Sequence, residues 1–169
     1  MYLYRSFTSP LGFLTVCEDS TGIFMLWFGI PDDAFFASVK KLTHLENGSV
    51  GGLITEALIN QLNAYFLGQL TQFDVPLSFY GTAFQKAVWK GIYAVPFGQL
   101  THYGDLATLA GSPKASRAVG GATGKNPIPI VVPCHRIVGK SGALTGFSAP
   151  GGLVTKIKLL ELEGIHYEL

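Results

Sequence analysis

Charge is scarce in this chain of 169 residues: Asp, Glu, Lys and Arg make up 14%, against 48% hydrophobic residues. That balance excludes intrinsic disorder, which goes with low hydrophobicity and high net charge. Cysteine is scarce too. Cys17 and Cys134 lie far apart, no two cysteines stand at metal-binding spacing and the histidines do not cluster, which argues against a structural zinc site. Long apolar runs are missing. The longest, residues 23–28, falls far short of the roughly 18 that a membrane helix needs and suits a buried strand. The N-terminus, M-Y-L-Y-R-S-F-T-S-P, has no basic region followed by an apolar core, so no secretory signal is visible. The expected compartment is the cytoplasm, and the two thiols are expected to be free. Residues 120–125 resemble a phosphate loop only superficially: Val119 stands where the first glycine belongs and Asn126 replaces Ser or Thr, which excludes that mode of nucleotide binding. There is no internal repeat and no low-complexity segment.

What is present fits one generous domain or two small ones. Net charge is +1, but its distribution is uneven. Up to Tyr80 three basic residues (Arg5, Lys40, Lys41) face seven acidic ones, whereas from Gly81 onward nine basic residues face four acidic ones. The second half is therefore a candidate for meeting an anion such as nucleic acid, with solvated lysines as the plain alternative.

The first third reads as strands. Residues 2–8 and 13–17 are rich in aromatic and β-branched side chains, and Ser9-Pro10-Leu11-Gly12 between them has hairpin-turn chemistry. A second turn at residues 19–22 leads to a third strand, 23–28, giving an antiparallel meander with Cys17 and Trp27 in the core. Asp32 is placed to cap a helix carrying Phe35, Val39 and Leu42. Residues 47–52 read as a loop, residues 53–67 as a helix with Ile54, Leu58, Leu62 and Tyr65 on one face, ended by Gly68. Residues 73–80 read as a short returning strand. A domain boundary is expected at Gly81, dividing the chain into 1–81 and 82–169.

Beyond it, Thr82-Ala83-Phe84-Gln85 has capping-box spacing and opens a helix that turns Phe84, Val88 and Ile92 inward and stops by Pro96. Thr101 is expected to cap a helix over 103–110, closed by Gly111. Ser112-Pro113 is expected to open the next, with serine as cap and proline at the first helical position. That helix has a face of small residues (Ala115, Ala118, Val119, Ala122) and carries Lys114 and Arg117. Helix, glycine-bearing turn, helix is the pattern of a helix-turn-helix. Residues 139–142 read as a hairpin turn, 146–152 as a loop and 153–163 as a last amphipathic helix.

Residues 126–136, N-P-I-P-I-V-V-P-C-H-R, concentrate the chemistry. Pro127, Pro129 and Pro133 forbid a helix and favour a stiff extended segment, while Ile128, Ile130, Val131 and Val132 belong inside. The result is a thiol, Cys134, at the end of a buried rod and followed by His135. A thiolate is suppressed by apolar burial and favoured by a neighbouring base or cation. On a strand, neighbours point to opposite faces, so contact between Cys134 and His135 needs a turn or a bridging water. A buried structural cysteine is the alternative that residue type alone leaves open.

P-C-H-R at the end of this segment closely resembles the active-site signature of the O6-alkylguanine-DNA alkyltransferases, also called methylated-DNA–protein-cysteine methyltransferases. Phe84 to Trp89, Val95-Pro96-Phe97-Gly98 and Pro113 to Gly120 resemble that family's helix-turn-helix in the family's order, so the likeness spans about residues 81–164. The resemblance implies an α+β fold: an N-terminal antiparallel sheet with helices (a ribonuclease H-like roll), then a mostly helical C-terminal domain with a helix-turn-helix. It implies Cys134 as the alkyl acceptor, His135 as base through a water, Glu163 holding and polarising His135, and Tyr103 protonating the leaving guanine. Asn126 corresponds to the hinge asparagine, and Arg117 to the finger that replaces the extruded nucleotide. Ala118, Lys114, Ser116, Thr101, Lys125 and Gly121 are implied contacts to DNA in the minor groove; Val138, Phe147, Ser148, Arg136 and Pro133 are implied to line the base pocket.

The chain departs from the family pattern in the loop 146–152, which is two residues longer than the common form and carries Phe147 where the family has tyrosine. Zinc ligands found in some N-terminal domains of the family are absent, and no metal or cofactor is expected. The expected partner is double-stranded DNA containing O6-alkylguanine, with no membrane partner, and the protein is expected to act as a monomer that reacts once. A lesion-binding helix-turn-helix protein without transfer activity is the alternative; relatives of that kind typically carry tryptophan in place of the cysteine.

Overall fold

The computed structural model describes residues 1–144 and 146–167. The chain divides into two compact units, Met1–Tyr80 and Gly81–Leu169.

In the first unit, β1 (Tyr2–Ser9), β2 (Gly12–Glu18) and β3 (Ile23–Phe28) form the antiparallel meander. The Ser9 hydroxyl closes the first turn by donating to the Gly12 carbonyl at 2.7 Å, and Gly12 takes φ 93, a conformation that favours glycine. Residues 47–52 do not form only a loop. β4 (Gly48–Val50) joins the sheet on its far edge, parallel to β1, so the order is β3-β2-β1-β4. Three residues without alternation carry no strand signal of their own; the pairing with Tyr2, Leu3 and Tyr4 is decided by the tertiary fold.

Helix α1 (Asp33–Thr43) is capped by Asp32, whose carboxylate accepts from the Phe35 N–H at 2.9 Å. It lays Phe35 and Val39 on a core of Tyr2, Cys17, Phe24 and Met25, with Trp27 and Leu42 packed at the margin. Helix α2 (Leu53–Phe66) buries Leu58, Leu62 and Tyr65. Its N-cap is Gly52, which has no side chain to offer, and the first turn is capped from the sheet instead: the buried Glu18 carboxylate of β2 accepts from the Thr55 N–H at 2.5 Å.

Residues 73–80 are not a strand. Pro76 has no N–H to give a ladder, and only a single bridge joins Leu77 to Ile23. The segment is held by side chains: Asp19 accepts from the Ser78 hydroxyl and the Tyr80 phenol, each at 2.7 Å.

In the second unit, α3 (Ala83–Tyr93) begins with the complete capping box of Thr82 and Gln85 and buries Val88, Trp89 and Ile92, while Phe84 is only half-buried. The Trp89 indole donates to the Ala122 carbonyl at 2.9 Å, tying α3 to the helix that carries Ala122. Thr101 is not a helix cap. It lies in β5 (Thr101–His102), which pairs in parallel with β6 (Ile137–Val138), and this pairing makes His102 the N-cap of α4 (Tyr103–Leu109). Gly111, at φ 78, turns the chain.

Helix α5 (Ser116–Gly124) starts three residues later than the sequence suggests. The Ser112 carbonyl accepts from the Ala115 N–H at 2.9 Å, so Ser112 and Pro113 begin a tight turn rather than a helix, and Lys114 sits in that turn. Residues 139–142 form a tight turn, crossed by the Gly139 N–H on the Ala143 carbonyl at 2.9 Å, but β6 pairs with β5, and among the described residues no strand is paired across the turn. Helix α6 (Leu153–Leu162) ends at Glu163, followed by Gly164 at φ 85.

Candidate active site

The proline-rich segment is buried, as its composition predicts, but it is not an extended rod. Each proline restrains its predecessor, which leaves Ile130, followed by valine, as a place where the chain can reverse. Ile130 takes φ 73, the left-handed region, and the Val132 N–H donates to the Ile128 carbonyl at 2.9 Å. Asn126 clips the loop shut from inside: its amide donates to the Val132 carbonyl at 2.8 Å and its oxygen accepts from the Ile128 N–H at 2.9 Å. Ile128, Ile130 and Val132 are fully buried, which helps hold the unusual conformation at Ile130.

The chain then enters a short 3-10 turn, Cys134–Arg136, with the Arg136 N–H on the Pro133 carbonyl at 2.9 Å. The turn replaces the opposite-face geometry of a strand. All three side chains are buried, Cys134 at 7% and His135 at 0% exposure.

Glu163, at the end of α6, organises this turn. One carboxylate oxygen contacts His135 Nε2; the other accepts from Arg136 Nε at 2.7 Å and from the Gly98 N–H at 3.1 Å. Arg136 is therefore tied within the protein and is not among the residues lining the cleft described below. Its guanidinium also donates to the Val95 carbonyl at 2.6 Å and lies 5.8 Å from the centre of the Phe97 ring. Burial works against the Glu163 charge, but His135 and Arg136 outweigh it and hold the carboxyl down at about 2. Burial pushes the His135 imidazole down, and the Arg136 and Lys156 charges act in the same sense against the pull of Glu163. Burial and the two cations thus favour the neutral imidazole. Contact with an ionised carboxylate puts its proton on Nε2. Its other nitrogen, Nδ1, is buried and has no hydrogen-bond partner among the described residues.

Burial raises the Cys134 thiol, opposed by hydrogen bonding from the Asn126 amide, the charge of Lys156 and the backbone N–H groups of the turn. The resting group is a thiol that needs a base. Lys156 is a residue that sequence reasoning misses. It is fully buried in α6 and donates to the Ile137 carbonyl at 2.6 Å. The available signal is its helical spacing, three and four residues before the buried Leu159 and Leu160, a position where a solvated lysine has no place.

A cleft of about 680 Å³ opens on the helix-turn-helix side of this unit, lined by Tyr103, Ser116, Arg117, Phe147, Ser148 and the glycines at 120, 124 and 146. Tyr103 enters from the first residue of α4, and Ser148 is fastened by donating to the Gly124 carbonyl at 2.9 Å. Pro133 and Val138, buried beside the turn, are not among its lining residues. Lys114, Arg117, Ala118, Gly121 and Lys125 are exposed along α5 and its ends, with Ser116 at its first turn, and Thr101 is half-exposed. A Cβ added at Gly120 or Gly121 would meet nothing within 4 Å, so the fold does not itself demand glycine at either place. Glycine in a helix interior costs up to about 1 kcal/mol relative to alanine, and here the space it leaves lies outside the protein.

This unit, over residues 83–165, matches the DNA-binding domain of 6-O-methylguanine DNA methyltransferase, and residues 2–79 match the ribonuclease-like domain of the same family. The chain belongs to the 6-O-methylguanine DNA methyltransferase family. The methylated-DNA–protein-cysteine methyltransferase of Haemophilus influenzae is 52% identical over 165 residues, covering 97% of this chain and 87% of that one. The constitutive enzyme of that name from Bacillus subtilis is 40% identical over 171 residues, covering 99% of each. Among solved structures, the O6-methylguanine methyltransferase of Mycobacterium tuberculosis superposes with a TM-score of 0.80 at 41% identity, covering 96% of this chain and 93% of that one. M. tuberculosis OGT in complex with DNA gives 0.80 at 41% identity, covering 95% and 92%. The α+β fold expected from the sequence is that of the methyltransferase family, a ribonuclease-like domain followed by a helical DNA-binding domain.

Proposed function

We propose that this protein repairs DNA by moving an alkyl group from O6 of guanine irreversibly onto Cys134. The observation that carries the reading is the buried series Glu163, His135, Cys134, in which an ionised carboxylate fixes the imidazole and leaves an unpartnered ring nitrogen available as base. His135 takes the thiol proton at Nδ1 through a water. The thiolate attacks the carbon on O6; the S–C bond forms as the C–O6 bond breaks, and the electron pair passes into the purine. Tyr103, at the rim of the cleft, gives its phenolic proton to the leaving guanine at N3 and recovers one through solvent from the imidazolium. Every bond made or broken belongs to protein or DNA, so the scheme calls for no cofactor. A thioether is not readily cleaved, which makes the protein a single-turnover reagent.

A stacked base is out of reach of a buried thiol, so the damaged nucleotide must be flipped, at a cost of a few kcal/mol. The exposed side of α5 supports the way this cost is met. Ala118 and Gly121 let the helix approach the minor groove closely, Arg117 enters the stack in place of the flipped base, and Lys114, Ser116, Lys125 and Thr101 contact the backbone. Phe147 and Ser148 flank the base in the cleft. The protein acts on double-stranded DNA as a cytoplasmic monomer. No helix among the described residues is long and apolar enough to cross a membrane.

Mass spectrometry after incubation with a duplex containing O6-methylguanine tests the reading. One methyl group is expected on Cys134, and none on a Cys134→Ala variant that still binds the duplex. An unmodified Cys134 in DNA-bound protein would sink the proposal and favour a lesion-binding role.

A further inference from the structure

Arg136, like Lys156, is a buried charge for which the transfer scheme has no use. Arg136 is not among the residues lining the cleft, and its side chain is 7% exposed. It is engaged within the protein by Glu163 Oε1 at 2.7 Å, the Val95 carbonyl at 2.6 Å and the face of Phe97. Arg136 and His135 do not compete for Glu163, because each holds a different carboxylate oxygen. From the shared carboxylate we infer that Arg136 is a positioning residue whose fixed charge keeps His135 neutral, with its proton on Nε2 and Nδ1 open as the base. The inference deepens the alkyl-transfer reading and rests on it for its consequence, though not for its geometry.

A buried carboxylate beside a buried imidazole can settle in three ways: both charged, both neutral with the proton on the carboxyl, or a neutral imidazole donating to an anion. Only the last leaves a ring nitrogen free while the carboxylate keeps its charge, and it places one uncompensated negative charge in a dry site. Guanidinium is charged at every accessible pH. With Arg136 present, its charge offsets that of Glu163, and a protonated imidazole would stand as a further positive charge beside Arg136 and Lys156. Without it, Glu163 draws a proton onto His135 opposed by Lys156 but no longer by Arg136, and that proton occupies Nδ1.

Among the described residues, the charged groups that act on His135 are Glu163, Arg136 and Lys156. Cys134 and Arg136 come from its own turn, Glu163 from the end of α6 and Lys156 from the body of α6. Cys134 is a neutral thiol in the resting state. Lys156 acts in the same sense as Arg136, but it is fastened to a backbone carbonyl, whereas Arg136 is fastened to the carboxylate that His135 shares.

The test uses the full chain carrying Arg136→Met or Arg136→Lys, with the transfer rate on duplex O6-methylguanine measured against pH. The His135 ring is titrated in parallel by 15N NMR in the absence of DNA. Removing the positive charge raises the affinity of His135 for its proton, so the rising limb of the Met variant should move upward by about one pH unit or more. The ring titration should move with it, while the Lys variant keeps both near the parent position. A Met variant slowed by the same factor at every pH, with its limb and ring titration unmoved, would show Arg136 to be packing alone. Should the Met variant fail to fold, the Lys variant decides, since it keeps the charge and loses the planar fork. An unmoved limb upholds the inference, and a displaced one overturns it. A parent protein that transfers nothing, while His135 still titrates as described, removes the proposed function and leaves the placement of Arg136 intact.

Discussion

Arg117 stands exposed on α5 beside Ala118 and at the rim of the cleft. If it fills the gap left by a flipped base, its value lies in duplex DNA and not in the chemical step. Arg117→Ala should therefore weaken duplex binding and slow transfer roughly tenfold or more, with a much smaller effect on a single-stranded substrate. Equal losses on both substrates would remove the finger assignment. At this scale the site is only partly legible in the sequence. The pair Cys134 and His135 announces itself through its framing prolines, but the contact between His135 and Glu163, 28 positions apart, follows from family resemblance and not from spacing. The resemblance implies the pocket for Arg136, yet a motif does not say which partners a side chain finds once the backbone winds into a 3-10 turn. Lys156 escapes notice because lysine in an amphipathic helix ordinarily reaches water.

Elements whose signals are local are legible: the β1–β2 hairpin, the Asp32 cap and the Thr82–Gln85 capping box all appear where the sequence puts them. Elements that depend on a distant partner are not. β4 exists only because β1 offers an edge, Thr101 is drawn out of a helix cap by β6, and the segment 73–80 is tied by side chains instead of a ladder. That tie yields a prediction. Burial works against the Asp19 charge, but hydrogen bonds from Tyr80, Ser78 and Thr21 overcome it and hold the carboxyl at about 2. A group with a depressed folded value stabilises the fold above its unfolded value, here 3.8, and loses that contribution as pH falls toward 2. Asp19→Asn should cost about 1 kcal/mol at neutral pH after allowance for solvent screening, and should flatten stability between about pH 4 and pH 2. Urea unfolding across that range checks both the size and the slope.

At the scale of the whole molecule, the two units differ in charge: three basic residues against seven acidic in the first, nine against four in the second. Contact with DNA through so modest an excess of positive charge should be weak, with a shallow salt dependence, which suits a protein that must search undamaged duplex. Replacing Lys114, exposed in the turn before α5, by alanine should lower the slope of log affinity against log salt by about one, equally for damaged and undamaged DNA. A change confined to damaged DNA would move Lys114 from the backbone to the lesion. The cap that Glu18 lends to α2 bears on how the first unit comes into being. A helix that borrows its first-turn acceptor from a strand 37 positions earlier lacks that support until the strand is in place, so α2 has little reason to persist alone during folding. Sheet and helix should therefore appear together in time. In hydrogen exchange, the amide of Thr55 should open at the rate of the β1–β2 ladder and not at that of a fraying helix end.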